Sequence, residues 1–289
     1  MRAGIVARMR HLAPRFFMAA AFVVAASLPG FAASLDTVMA RGTLRVAVYR
    51  DFPPFSQHVG GALKGADVDL AKAIADKLGL SVEFMELTAD ENMDDDLRNA
   101  VWKGHYLGGG VADVMMHVPV NRDFALRNDL VVIFGAYQRE TFAVARDPSR
   151  ISETAGFPVF QTEKVGVELD TVPDFYLSGA FGGRLQENLV HFSTVEQAVE
   201  GLRRGSVAAV FAPLSQLEGA LGPDKAKFPI ARMAAPNLSP SEWPIGLAVK
   251  QDGHDLAYRV GDVVTELLGS GTVKEIYDRH GLTHSAPVE

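Results

Sequence analysis

Apolar residues recur along the chain at two spacings, one typical of strands and the other of helices. Residues 43–48 and 81–87 are short, β-rich runs that predict strands. Between them, residues 67–78 place their apolar side chains on one face at helical spacing. Asp67 can cap the start of this helix, and Gly79 can end it. The pattern therefore predicts a strand, a helix and a second strand in succession.

The same succession continues toward the end of the chain. Helices are predicted at 94–103, 194–203 and 214–221, with two more after residue 250, and strands or extended segments at 111–118, 131–134, 141–145, 164–167, 207–211 and 243–250. Strands separated by helices imply right-handed crossover connections and sheets that are mostly parallel. We therefore predict an α/β fold.

The first 33 residues are not expected to belong to this fold. Four arginines precede or border a short apolar run at 16–26, and Pro29 and Gly30 then interrupt helical structure. This layout is typical of a cleavable signal peptide, whereas an N-terminal membrane anchor is the alternative. No later run reaches about 18 apolar residues. We therefore expect a soluble protein, beginning at residue 34, in the periplasm of a double-membraned bacterium.

Composition and charge exclude several classes of function. The chain has 28 Lys and Arg against 35 Asp and Glu, and its net charge of −7 offers no footprint for nucleic acid. It has no Cys, which excludes disulfides, thiolate metal sites and a catalytic cysteine. The acidic stretch 90–96 lacks the spacing of a calcium loop, and we interpret it as a solvated helix start. We expect neither a metal ion nor a cofactor.

Four blocks spread over the chain carry a family resemblance. They are TLRVAVYRDFPPFS at 43–56, GADVDLAKAIA at 65–75, ADVMMHVPVNR at 112–122, and the closing pair IGLAVK at 245–250 and GTVKEIYDRHG at 271–281. In this order they resemble the bacterial extracellular solute-binding proteins of family 3, the periplasmic receptors of polar amino-acid ABC transporters. The resemblance spans nearly all of the chain after the predicted signal peptide.

This resemblance implies a two-lobed, periplasmic-binding-protein-like fold of type II. Each lobe is expected to be a mostly parallel sheet flanked by helices, and two crossing segments near 141–145 and 247–250 would join the lobes. Lobe 1 would comprise 34–142 and 246–289, and lobe 2 would comprise 143–245. The resemblance implies that the lobes close over a ligand by hinge bending. We expect the protein to be a monomer.

The resemblance also implies four ligand-binding residues. Arg122 matches an arginine that binds a ligand carboxylate, and the alternatives are a solvated surface arginine or one paired with Asp123 or Asp129. Phe52 matches the aromatic residue that covers the ligand, and it could instead be a core residue. Thr171 matches a lobe 2 hydroxyl, and a plain helix N-cap would look the same. His117 lies in the turn before Arg122, where the family carries Ser or Thr.

Besides His117 and Pro119, which occupy the Ser or Thr positions of the turn before Arg122, further positions depart from the amino-acid receptors of the family. Pro213 stands where those receptors carry an Asp that holds the ammonium group of the ligand, Tyr49 replaces a second Asp, and Asp170 replaces a loop Gly. An unpaired ammonium group in a desolvated cleft is unfavourable by several kcal/mol. Acidic residues elsewhere in the cleft could substitute. The sequence therefore predicts a small polar or anionic ligand rather than a standard amino acid.

Residues 97–102 and 112–119 are also similar to one branch of the family, the proteins that accompany periplasmic pyrroloquinoline-quinone alcohol and methanol dehydrogenases. The chain lacks the cysteines usual in that branch. Two hypotheses follow: a receptor that presents its ligand to the membrane permease of an ABC transporter, or a partner of a periplasmic quinoprotein dehydrogenase. Cyclohexadienyl dehydratases have related lobes, but no acid–base pair is recognisable here, so we do not expect an enzyme.

Overall fold

A computed structural model describes residues 34–287, and the predicted signal peptide at 1–33 lies outside the described residues. The helices are α1 Leu35–Arg41, α2 Ala66–Leu78, α3 Met93–Leu97, α4 Arg122–Arg127, α5 Val172–Gly179, α6 Val195–Arg203, α7 Leu214–Leu221, α8 His254–Gly269 and α9 Thr272–Arg279. The strands are β1 Thr43–Tyr49, β2 Gln57–Val59, β3 Ala62–Lys64, β4 Ser81–Leu87, β5 Val114–Pro119, β6 Val131–Arg146, β7 Val165–Glu168, β8 Leu189–Phe192, β9 Ala209–Pro213, β10 Ile230–Ala231 and β11 Glu242–Lys250.

Helix α2 follows the predicted pattern closely, apart from its first turn. Gly79 takes a left-handed conformation after the helix, and its N–H donates to the carbonyls of Ala75 and Asp76. The N-cap residue is Gly65, and no side chain caps the helix there. The capping role predicted for Asp67 is therefore wrong, because its side chain turns into the protein, where the residue is 2% exposed.

The helix predicted at 94–103 changes its winding halfway. Asn92 caps α3 by accepting a hydrogen bond from the N–H of Asp95. After Leu97 the chain continues as a π-helix, Arg98–Trp102, and the N–H of Lys103 donates to the carbonyl of Arg98. Such a widened turn is not visible in a 3.6-residue periodicity.

The sheet has two halves that share its longest strand. Its strand order is β4-β1-β5-β11-β6-β9-β7-β8, and β10 pairs with β6 off this path. The outer strands of each half run parallel, whereas β11 is antiparallel to both β5 and β6, and β9 is antiparallel to β6. We call the half with β4, β1, β5 and β11 lobe 1, and the half with β9, β7, β8 and β10 lobe 2. This is the two-lobed α/β fold that the sequence predicted.

The two extended segments predicted at 131–134 and 141–145 are one continuous strand, β6. Its first half pairs with β11 in lobe 1, and its second half pairs with β9 in lobe 2. Residues 247–250, predicted as the second crossing, pair with 131–134 inside lobe 1, so β11 approaches lobe 2 only near Glu242. The exact boundaries of the lobes stay a prediction.

Each lobe has apolar layers on both faces of its half of the sheet. Helices α2, α8 and α9 cover one face of lobe 1, and residues of α3 and the π-helix cover the other. Lobe 2 has α6 and α7 on one side and the segment around Phe157, Phe160 and Leu177 on the other. Among residues 34–287, no helix combines the length and apolar content needed to cross a membrane.

Candidate functional site

A cavity of about 620 Å³ lies between the lobes. Residues from both lobes line it, including Asp51, Phe52 and Met93 on the lobe 1 side and Glu168, Thr171 and Glu196 on the lobe 2 side. These residues stand at or just beyond the ends of β1 and β7, or in the first turns of α3 and α6. The cavity therefore lies where ligands bind in open α/β sheets, beyond the carboxyl ends of parallel strands.

A second cavity of about 400 Å³ adjoins the first and is formed by lobe 1. It shares Asp51, Phe52, Ala89 and Met93 with the cavity between the lobes, and His117 lines it as well. Phe52 is half-buried, packs against the lobe 1 core and lines both cavities. Phe52 is thus both a residue packed on the core and a residue that lines the cleft, the two positions that the sequence left open.

Thr171 stands at the N-cap position of α5 but does not cap the helix with its side chain. Its hydroxyl instead donates a 2.7 Å hydrogen bond to the carbonyl of Glu168. Both residues line the cavity between the lobes. The plain N-cap interpretation of Thr171 is therefore wrong, because the hydroxyl bonds backward to β7 rather than forward to the first turn of α5.

The charged residues that line this cavity, within the described chain, are all acidic. They are Asp51, Glu168 and Glu196. Burial, and then the neighbouring charge of Glu196, raises the pKa of Glu168 to about 7. An ionised Glu168 therefore lacks a compensating positive charge, and a cationic group placed between these side chains would supply one.

His117 is held by contacts on several sides. Its Nδ1 lies 2.8 Å from Oδ2 of Asp67, and its backbone N–H donates to the Tyr137 hydroxyl at 3.2 Å. The Tyr137 hydroxyl in turn donates to Oδ1 of Asp67 at 2.8 Å. The rings of Phe52 and Phe55 lie 4.8 and 4.2 Å from the imidazole. Burial, and then the charge of Asp67, raises the pKa of Tyr137 far above its ordinary value, so this hydroxyl keeps its proton.

Two irregularities of the sheet, on either side of β11, bring these residues together. On β5, Met115 and Val118 are paired with Ala248 and Gly246, so β5 carries one extra residue in this interval. On β6, Phe134 and Gln138 are paired with Leu247 and Ile245 of β11. Four residue steps on β6 therefore face only two on β11. His117 and Tyr137 lie in these two bulges. Bulges re-aim side chains, and here both reach Asp67 at the start of α2.

Arg122 lies apart from these groups. It is the first residue of α4, it is exposed, and no hydrogen bond or ion pair joins it to another described residue. It lines neither of the two cavities. Of the two alternatives, pairing with Asp123 or Asp129 does not occur among the described residues, whereas the exposed position fits a solvated surface arginine. Its role in ligand binding stays a prediction.

Sequence reasoning missed four residues of this region: Asp67, Tyr137, Glu168 and Glu196. Asp67 was considered only as a helix cap, and Tyr137 falls between the two segments predicted as extended. Glu168 follows a predicted strand directly, and this position at a strand end could have indicated it. Among residues 34–287, no grouping of three or more His, Asp or Glu has an arrangement suited to a metal ion.

Comparisons with known proteins agree with this architecture. Residues 44–101 match the sequence model of "Bacterial extracellular solute-binding proteins, family 3". The probable ABC transporter arginine-binding protein ArtJ of Chlamydia trachomatis serovar D is 24% identical over 240 residues, which cover 81% of this chain and 83% of ArtJ. This relative is therefore similar along most of both chains.

Solved structures show the same fold. The ancestral cationic amino acid solute-binding protein AncCDT-1 matches with a TM-score of 0.68 and 23% identity, over 85% of this chain and 98% of its own. A Streptococcus pneumoniae amino acid ABC transporter substrate-binding protein bound to L-arginine matches with a TM-score of 0.61 and 20% identity, over 86% of this chain and 98% of its own.

The two lobes and the cleft between them have the fold of the type II periplasmic binding proteins. The chain is similar to the bacterial extracellular solute-binding proteins, family 3, to which the sequence blocks pointed: residues 44–101 match that family's model, and the similarity to ArtJ extends over most of the chain. The relatives named above are described as binding proteins, although AncCDT-1 is also described as a precursor of cyclohexadienyl dehydratase. None of them is described as a quinoprotein partner, and that branch of the resemblance stays a prediction.

Proposed function

We propose that this protein is a periplasmic receptor of an ABC transporter and that its cleft binds a small ligand with a cationic group, such as an amine or a guanidinium. The observation that carries the proposal is the lining of the cavity between the lobes, where Asp51, Glu168 and Glu196 are the charged residues. This proposal replaces the expectation, drawn from Pro213, that an amino acid would lack a counter-charge. Acidic residues next to Pro213 can supply it.

Aromatic side chains support the same ligand class. Phe52, Trp243 and Phe142 line the cavity together with the carboxylates. The rings of Phe142 and Trp243 lie 4.7 Å apart and form one wall near the crossing strands. A cation over an aromatic face gains about 0.5–2 kcal/mol, and more when it is desolvated. Carboxylates and rings together therefore favour an organic cation over an anion.

The relatives support this interpretation independently. ArtJ is described as a probable arginine-binding protein, and the Streptococcus pneumoniae structure contains L-arginine. Arginine carries a guanidinium that acidic residues can bind and a carboxylate that Arg122 could bind. In this proposal Arg122 approaches the ligand only when the lobes close, which accounts for its exposed position in the described structure.

A thermal-shift and calorimetric comparison of four compounds tests the ligand class. The purified protein is mixed with L-arginine, with agmatine (arginine without its carboxylate), with L-aspartate and with succinate. We expect the two cations to raise Tm and to bind, and succinate to have no effect. Binding of succinate without binding of either cation would contradict the proposal, and so would a blank across all four compounds.

Variants then assign the charges to residues. Glu168→Gln and Glu196→Gln should each weaken binding of both cations by about tenfold, the effect of losing one charge-assisted hydrogen bond. Glu187→Gln, an exposed lobe 2 carboxylate away from both cavities, is the matched control and should bind as the unmodified protein does. Arg122→Ala should weaken the binding of L-arginine but not that of agmatine, which has no carboxylate. Equal losses of affinity for the two ligands would contradict the proposal that Arg122 binds the ligand carboxylate.

A further inference from the structure

His117 lines the cavity that adjoins the cleft, and the proposed function does not use it. We propose that His117 accepts a hydrogen bond from the ligand through Nε2, and that Asp67 and Tyr137 are positioning residues that fix the ring for this contact. The inference rests on the proposed function, since it requires a ligand that carries N–H donors in the cleft. It adds two buried residues, neither of which lines the cavity between the lobes.

The tautomer of the ring follows from its partner. Oδ2 of Asp67 lies 2.8 Å from Nδ1, and a carboxylate at that distance accepts the Nδ1 proton. In the neutral ring the lone pair is then on Nε2, which becomes an acceptor. The N–H groups of an amine or a guanidinium are donors. The same carboxylate thus selects the ring form that is complementary to a cationic ligand.

Nε2 is the polar atom of His117 that remains available. The backbone N–H and Nδ1 are both bonded, whereas no described residue bonds Nε2. Nε2 is not fully buried, so solvent and ligands can reach it. The residue lines the cavity that adjoins the cleft and shares Phe52 with it. A ligand beside Phe52 would therefore meet this atom.

The backbone at His117 is held in an unfavourable conformation. Its φ is +62°, in the left-handed region that only a few per cent of residues other than Gly adopt, His, Asn and Asp more often than the rest. Such strain is typical of functional sites, where the surroundings enforce it. Here the Tyr137 hydroxyl accepts the N–H of this same residue and donates to Asp67, so one hydroxyl secures both the backbone and the carboxylate.

Binding measurements with L-arginine and agmatine test the contact. His117→Asn tolerates the left-handed backbone and can still bond Asp67, but it offers no nitrogen at the Nε2 position. We expect it to bind both probes about tenfold more weakly while its Tm stays close to that of the unmodified protein. Undiminished affinity of His117→Asn would overturn the proposal.

A matched pair of tyrosines tests the positioning role. Tyr137→Phe removes the bridging hydroxyl and should weaken binding by about threefold to tenfold. Tyr277 is equally buried in the same lobe, and its hydroxyl has no hydrogen-bond partner. Tyr277→Phe should therefore leave affinity within twofold of the original value. Equal losses in the two variants would show that Tyr137 has only a structural role.

A ligand-free measurement keeps this inference separate from the proposed ligand class. Long-range ¹H–¹⁵N spectra of the histidine rings report the tautomer of His117, assigned with His117→Asn. We expect a single Nδ1–H form that becomes mixed in Asp67→Asn. Mixed tautomers in the unmodified protein would overturn the role of Asp67. If the ring is fixed but neither cation binds, the proposed ligand class fails and with it the ligand contact of His117, while the positioning of the ring stands.

Discussion

At the scale of single residues, Glu168 is the carboxylate of the cavity lining whose pKa is raised. It is half-buried at the end of β7, and Glu196 adds a second negative charge nearby. Its pKa of about 7 lies above the ordinary value of 4.5. The folded protein therefore holds the Glu168 proton more tightly than the unfolded chain does. Ionisation of Glu168 destabilises the empty protein as the pH rises from about 4.5 to 7.

Glu168→Gln should remove the loss of stability that ionisation of Glu168 causes. We expect the variant to match the unmodified protein in its free energy of unfolding near pH 4.5, and to exceed it by about 1 kcal/mol at pH 8, after allowance for the water that reaches this side chain. Urea unfolding at the two pH values measures the difference. Glu187→Gln is the control and should change stability at neither pH. A variant that is less stable at pH 8 would contradict the raised pKa of Glu168.

At the scale of elements, the turn before α2 fixes the direction of Asp67. Gly65 has a φ of +143°, and a Cβ at that position would lie 2.0 Å from the carbonyl oxygen of Phe55. That carbonyl accepts the N–H of Asp67, and the carbonyl of Pro54 accepts the N–H of Ala66. The turn and the helix start are therefore packed backbone to backbone, with no space for a side chain.

Gly65→Ala should consequently be strongly destabilising. We expect a loss of about 3 kcal/mol or more in the free energy of unfolding, because the added methyl group collides with backbone that cannot move aside. Gly60→Ala is the matched control: φ is +61° there but the space is open, so the loss should be only about 1 kcal/mol. Urea unfolding of both variants gives the comparison. Similar losses would mean that the left-handed backbone alone, and not the close approach, explains Gly65.

At the scale of the whole molecule, the lobes also touch each other beside the crossing strands. Gly219 of α7 packs so closely on Pro54 of lobe 1 that a Cβ would lie 2.8 Å from that ring. Glu218 accepts hydrogen bonds from the backbone N–H and the hydroxyl of Thr283, at 2.7 and 2.5 Å. These contacts join the lobes beside the cleft, since Pro53 and Gln216, close to Pro54 and Gly219 in the chain, line the cavity. Closure by rotation about these contacts is the expected motion.

Small-angle scattering tests this motion. A saturating cation from the four-compound comparison should lower the radius of gyration, since the bound state is stabilised by contacts with both walls of the cleft. Succinate, which should not bind, serves as the control ligand, and the double variant Glu168→Gln/Glu196→Gln should stay open at the same cation concentration. An unchanged radius of gyration in a protein that calorimetry shows to be saturated would contradict hinge closure.

Local periodicity predicted the elements whose apolar spacing and end signals lie within a few consecutive residues. Strand β4 was predicted at its exact bounds, and α2 within one residue, because their apolar spacing and the terminal Gly79 act within a few residues. Strand β6 was divided into two segments because its bulge at 135–137 interrupts the alternation. The bulge exists to fit β11 and Asp67, which lie far away in the sequence.

The sequence by itself determined the α/β class and the two lobes and indicated the resemblance to family 3, because these depend on periodicity and on blocks of consecutive residues. It also indicated Phe52, Thr171 and His117, and the first two line one cavity while Phe52 and His117 line the next. Only the tertiary structure decided the charge of the cleft. Glu168, Glu196 and Pro213 come from separate strand and helix ends, and whether a missing counter-charge is replaced depends on which side chains meet in space.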